Sequence, residues 1–140
     1  MIVCVLLATL GQAPAMPAPQ PVPFKTLESG VQSDIERPRE VVARTAGEWK
    51  ALCADHAGGR PCPQVDVSRS TVIGIFLGTR PSAGFSVKVT KVERDGDALV
   101  VTYLERKPGP DEMAAQMITM PYQLVTVDRF TGPVRFVRGQ

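Results

Sequence analysis

The apolar residues change period along this chain, from one helix-like stretch to a long series of strand-like alternations. Trp49, Leu52, Cys53 and His56 fall at i, i+3, i+4 and i+7, which is one face of a helix. Thr45 stands at the N-cap position. Glu48, three residues on, completes a capping box that satisfies two free backbone N–H groups. Gly58-Gly59 supplies the left-handed residue on which helices end. The pattern predicts a helix over 46–57, anchored in the core by Trp49.

Downstream the period falls to two. Thr71 to Leu77 is almost wholly apolar, as in a central strand covered on both faces. Phe85, Val87 and Val89 alternate with Ser86, Lys88 and Thr90, giving one buried and one wet face. Arg94-Asp95-Gly96-Asp97 is a turn, and Ala98 to Glu105 returns as the second arm of a hairpin. Lys107-Pro-Gly-Pro110 breaks the ladder. Met117 to Asp128 and Val134 to Val137 are further strands, with Pro121 marking an edge or a strand start because it has no N–H to donate. Upstream, Phe24 to Ala43 alternates in short pieces broken by Gly30 and Pro38, and Val41-Val42 belongs to a strand just before the helix. The sum is an α+β fold. It has one main helix at about 46–57 and a predominantly antiparallel β sheet, closed as a barrel or stacked as a sandwich.

The N-terminal region departs from both periods. Ile2 to Leu10 is apolar but far short of the roughly 20 residues that span a bilayer. With the small residues Ala13-Pro14-Ala15 after it, residues 1–15 are expected to be a signal peptide. No Lys or Arg precedes the run, the first charge being Lys25, which points to a start further upstream. The plainer alternative is an apolar tail on a cytosolic protein. Residues 16–23, with Pro17, Pro19, Pro21 and Pro23, are expected to be an extended linker that takes no part in a sheet. Residues 24–140 then form a single domain. The expected fate is export, periplasmic or secreted, with no membrane span in the mature chain.

Charge removes two classes of partner. The 16 basic residues are interleaved with 14 acidic ones for a net +2, and aromatics make up 6%. Nucleic acid needs clustered positive charge, and so does a basic membrane-surface helix. Neither is present.

Candidate chemistry is sparse. The single histidine, His56, lies three residues after Cys53 on the packing face, with Cys62 beyond. A Cys–His dyad needs a partly exposed thiol in an electropositive setting, and structural zinc wants four ligands where these residues supply three. The better use of Cys53 and Cys62 is a disulfide across the turn that contains Gly58, Gly59 and Pro61, as an oxidising compartment favours. Cys4 would leave with residues 1–15. Carboxylates such as Glu93, Glu105, Asp111 and Glu112 are scattered, and Gly74, Gly78 and Gly84 lack the spacing of a phosphate-binding loop. The expectation is no enzyme, no metal and no cofactor.

The segment Gly78-Thr79-Arg80-Pro81-Ser82-Ala83-Gly84-Phe85 joins two strands. One reading is a tight connection that needs glycine. The other is a stiff, pre-ordered contact loop, which loses little entropy on docking. On that reading Thr79, Arg80, Pro81, Ser82, Gly84 and Phe85 meet the partner, and Arg80 projects as the tip.

Several segments in order carry a resemblance. They are Glu48-Trp49, Val65-Asp66-Val67, the 78–85 loop leading into Ser86-Val87-Lys88-Val89, and Met120-Pro121-Tyr122 followed by Val125-Thr126-Val127. Together they resemble the PrcB C-terminal-domain family, named for a subunit of a bacterial protease complex, over roughly Phe24 to Val137. Departures are Ser82-Ala83 where the family usually has Thr-Gly, Phe85 where Tyr is common, and the cysteines. The resemblance implies an exported, non-catalytic accessory protein with no catalytic residues to carry over, and a protein partner in a protease or envelope complex. The loop alone is also similar to the Asn-Pro-Thr-Thr-Gly-aromatic loop of chagasin-type cysteine protease inhibitors. The regions Arg94-Asp-Gly-Asp97 and Arg106-Lys-Pro-Gly109 do not match the other two inhibitory loops. A peptidase inhibitor acting through 78–85 is therefore the alternative to an accessory binding domain.

Overall fold

The computed structural model describes residue 11 and residues 18–140. The expectations for residues 1–15 and for Cys4 lie outside the described residues. Eight strands and one helix follow in the order β1 (Gln20–Pro21), β2 (Lys25–Gly30), β3 (Arg39–Ala43), α1 (Ala46–Ala57), β4 (Ser70–Phe76), β5 (Ser86–Asp95), β6 (Ala98–Arg106), β7 (Tyr122–Asp128) and β8 (Val134–Arg138). One sheet has the order β1-β5-β6-β8 and the other β2-β7-β4-β3, so the fold is an α+β sandwich and not a closed barrel. All neighbouring strands are antiparallel except β6 and β8.

The second sheet is covered on both faces. Ile73, Ile75 and Leu77 from β4 and the loop after it, with Val125 and Val127 from β7, meet Val87, Val89, Leu99 and Val101 of the first sheet. Val72, Phe76, Tyr122 and Leu124 point the other way, onto Trp49 and Leu52 of α1. That double burial is why Val72 to Leu77 lacks polar side chains.

The helix occupies the predicted residues. Thr45 Oγ1 accepts from Glu48 N at 3.1 Å, but the Glu48 carboxylate reaches Arg44 N at 3.2 Å, one residue before the partner a capping box prescribes. Gly58 closes the helix with φ 55° and its N–H on Ala54 O. Cys53 and Cys62 are joined in a disulfide with Cα atoms 6.1 Å apart. The chain after it covers α1, and Trp49 Nε1 donates to Pro63 O at 3.2 Å.

Two expectations need correction. The proline-rich stretch does join a sheet: Gln20 and Pro21 pair with Arg94 and Glu93, and Val22 N donates to Val92 O at 2.8 Å. The prolines alternate with the residues whose N–H faces β5, so their missing donors fall on the solvent side of an edge strand. Val22 and Phe24 pack against the core between the sheets. The strand predicted from Met117 begins only at Tyr122, because residues before Pro121 turn away to meet the 78–85 loop.

Candidate functional site

Loop 78–85 leaves β4 through Gly78, at φ 80°. A Cβ there would sit 2.8 Å from Pro38 N, so glycine is required. Thr79 then donates to Glu36 O from its N–H at 2.9 Å and its hydroxyl at 3.2 Å. Arg80 and Thr119 exchange backbone hydrogen bonds at 2.7 and 3.0 Å. Thr119 Oγ1 donates to Ser82 O at 2.9 Å, Ala83 N to Ala115 O at 3.0 Å, and Arg106 Nη1 to Gly84 O at 2.9 Å. The loop is thus strapped along residues 107–119, the irregular segment between β6 and β7. Thr79 and Pro81 are exposed, while Arg80, Ser82, Gly84 and Phe85 are half-buried.

Arg80 does not project. Its Nε donates to Glu105 Oε1 at 2.7 Å and its Nη1 to Leu77 O at 2.9 Å, with the guanidinium carbon 6.0 Å from the Phe85 ring centre. The physical reason is Glu105, whose side chain is 4% exposed and also pairs with Arg138. A carboxylate so little hydrated must find counter-charge, and it takes Arg80 from the loop tip. Burial pushes the Glu105 carboxyl upward, but the Arg80 hydrogen bond and the two guanidinium charges outweigh it and hold the group below its ordinary range.

The strap supplies what the loop tip lacks. Met113 is fully in solvent, Ile118 is 68% exposed and Met117 43%. Met113 was missed at the sequence level because residues 109–116 follow neither strand nor helix period, and Met117 and Ile118 were read as the start of a strand that begins only at Tyr122. Their one signal is that bulky apolar residues stand in a segment opened by Pro-Gly-Pro, where no regular element can bury them.

A second constellation is interior. His56 Nδ1 lies 2.8 Å from Ser33 Oγ and Nε2 lies 3.0 Å from Glu28 Oε1, which also accepts from Tyr122 Oη at 2.5 Å. The His56 ring meets Tyr122 edge-on at 4.2 Å. This Ser–His–Glu line has the connectivity of a hydrolytic triad. Its hydroxyl, however, is 1% exposed and already accepts from Ile35 N at 3.1 Å, so a substrate has no approach to it. Here the residues pin β2 and the following turn to α1 and β7. Burial raises the Glu28 carboxyl, yet hydrogen bonds from Tyr122 and His56 prevail and lower it; the same contact and burial push the Tyr122 hydroxyl well above its ordinary value. Among the described residues no group of three or more His, Cys, Asp or Glu is arranged to hold a metal, and no helix is long and apolar enough to cross a membrane.

A family model described as PrcB C-terminal matches residues 71–128. No curated protein and no solved structure matches the chain. The matched stretch runs from β4 to the end of β7 and holds the loop, the strap, Glu105 and Pro121-Tyr122. It is narrower than the span of the sequence resemblance and leaves out the helix and the disulfide. Over residues 71–128, which build the candidate face, this chain is similar to the PrcB C-terminal family.

Proposed function

We propose that this chain is an exported, non-catalytic accessory domain that binds another protein within a protease-associated complex, through the face formed by residues 78–85 and 107–119. The observation that carries the reading is the exposure of Met113, Met117 and Ile118 on a strap fixed to a glycine- and proline-stiffened loop. Covering such side chains gains about 25 cal/mol per Å² of apolar surface, and methionine adapts its shape to irregular partners. The loop is already held in place, so little order is lost on docking. Export is supported by the apolar run ahead of the proline-rich stretch and by the Cys53–Cys62 disulfide, which suits an oxidising compartment. The protease association comes from the family resemblance.

A photo-crosslinking residue at Met113, compared with one at exposed Lys50 on α1, tests this in the native host. The expected result is a discrete adduct from position 113 alone, containing a protease or a subunit of its complex. No adduct, or the same adducts from both positions, would sink the assignment of the face. Inhibition through 78–85 is the less favoured reading, since Arg80 is turned inward and the loop backbone is engaged by Glu36, Ala115 and Thr119. Stoichiometric inhibition of a papain-like protease at micromolar protein would reverse that order.

A further inference from the structure

Among the described residues, the side chains open to oxidation lie together on the strap. Thiols and thioethers are the groups that peroxides attack. Cys53 and Cys62 are spent in the disulfide, which leaves the methionines Met113, Met117 and Met120. Met120 is half-buried, and its backbone is fixed to the turn after β2. Its N–H donates to Val31 O at 2.8 Å and its C=O accepts from Ser33 N at 3.2 Å. Trp49 is 9% exposed, with its indole N–H engaged by Pro63 O. Met113 and Met117 differ from all of these. They are exposed, they stand one after the other on the segment between β6 and β7, and neither belongs to a core cluster.

Oxidation of these sulfurs asks only for access from solvent. A thioether lone pair attacks one oxygen of hydrogen peroxide and forms an S–O bond. The O–O bond breaks, the proton on the transferred oxygen passes to the departing one, and water leaves. The sulfur is thereby oxidised to the sulfoxide and the peroxide is reduced to water. A flexible, apolar side chain becomes polar and chiral. In the free chain the new group stays in water, so the fold loses nothing. Against an apolar partner surface the S=O oxygen meets no donor, and burying it unpaired is costly.

We infer that Met113 and Met117 form a reversible oxidation site: hydrogen peroxide converts both thioethers to sulfoxides, and the modified strap releases the protein held by the face of residues 78–85 and 107–119. The site of oxidation stands on exposure alone. The release step rests on the binding role proposed for that face. Ile118, exposed beside them, has no sulfur and keeps its character. Return to the thioether falls to methionine sulfoxide reductases, one for each sulfoxide epimer.

The test uses the purified chain carrying a photo-crosslinking residue at Ile118, so that both thioethers are kept. It is treated with hydrogen peroxide, cleared with catalase, mixed with an untreated envelope fraction of the native host and irradiated. Peptide mass mapping should place the added oxygen on Met113 and Met117 before Met120, with circular dichroism unchanged. The discrete adduct should fall at least about tenfold, the scale of one buried unpaired polar group, and should return after treatment with the two reductases. For a Met113→Leu, Met117→Leu variant, the adduct measured against its own untreated level should not respond to peroxide. Oxidation of Met120 as fast as Met113, an undiminished adduct from the oxidised chain, or an equal loss in the Leu variant would overturn the inference. No adduct from the untreated chain would overturn the face and the release step together, while the mass map still reads the site of oxidation by itself.

Discussion

Glu105 has one carboxylate, two guanidinium partners and almost no contact with water. Glu105→Gln would leave Arg80 and Arg138 facing each other and is expected to destabilise the fold by roughly 1–3 kcal/mol. Because the folded carboxyl titrates below its ordinary range, its stabilisation is present at neutral pH. It is lost as pH falls below about 4.3, the unfolded glutamate value, and through the folded one. Glu28 follows the same sign. Urea midpoints measured from neutral to acid pH should fall more gently for Glu105→Gln than for the wild type; parallel curves would contradict the ion pairing. His56→Ala should cost about 2–4 kcal/mol in the same assay, since it opens a cavity beside Tyr122 and strips a partner from Ser33. A change under about 0.5 kcal/mol, the range of ordinary surface substitutions, would show that the network holds little. That His56 packs was legible from its place on the Trp49 face. Its partners were not: Glu28 and Ser33 lie 28 and 23 residues away, and no local period links them.

At the scale of elements, α1 was legible to its ends because cap, period and stop are all local. Strands β4, β5 and β6 were legible for the same reason, each being long enough to show its faces. What escaped was fixed by tertiary placement. Gln20-Pro21 became a strand only because β5 offers an edge where the missing proline donors face solvent. The parallel run of β8 beside β6 follows from the chain crossing to the other sheet for β7, and alternation of Val134 with Phe136 carries no direction. The disulfide ties the end of α1 to the covering segment. Its reduction should lower stability by about 2.5–3 kcal/mol by loop entropy. It should also shift Trp49 emission to longer wavelength as Pro63 releases the indole. Unchanged emission and melting temperature on reduction would show that the helix holds its cover without the bond.

Across the whole molecule, the chain is packed into two layers of core. Among the described residues the sheet faces, helix and buried polar network use nearly every bulky apolar side chain; of the four left exposed, Met113, Met117 and Ile118 lie on the irregular strap beside the 78–85 loop and Val137 lies on β8. The loop was legible as a stiff turn, but its Arg80 was misplaced because the demand of Glu105 for counter-charge is set by burial, which no spacing reveals. The binding surface we propose is the strap that the loop supports. The most direct measurement is the affinity of the crosslinked partner, once purified, for wild type and for a Met113→Asp, Ile118→Asp double variant of unchanged circular dichroism. Both side chains are exposed, so the fold should be untouched while Kd rises at least about a hundredfold, or about 2.7 kcal/mol. An unaltered Kd in the folded double variant would contradict the assignment of this face.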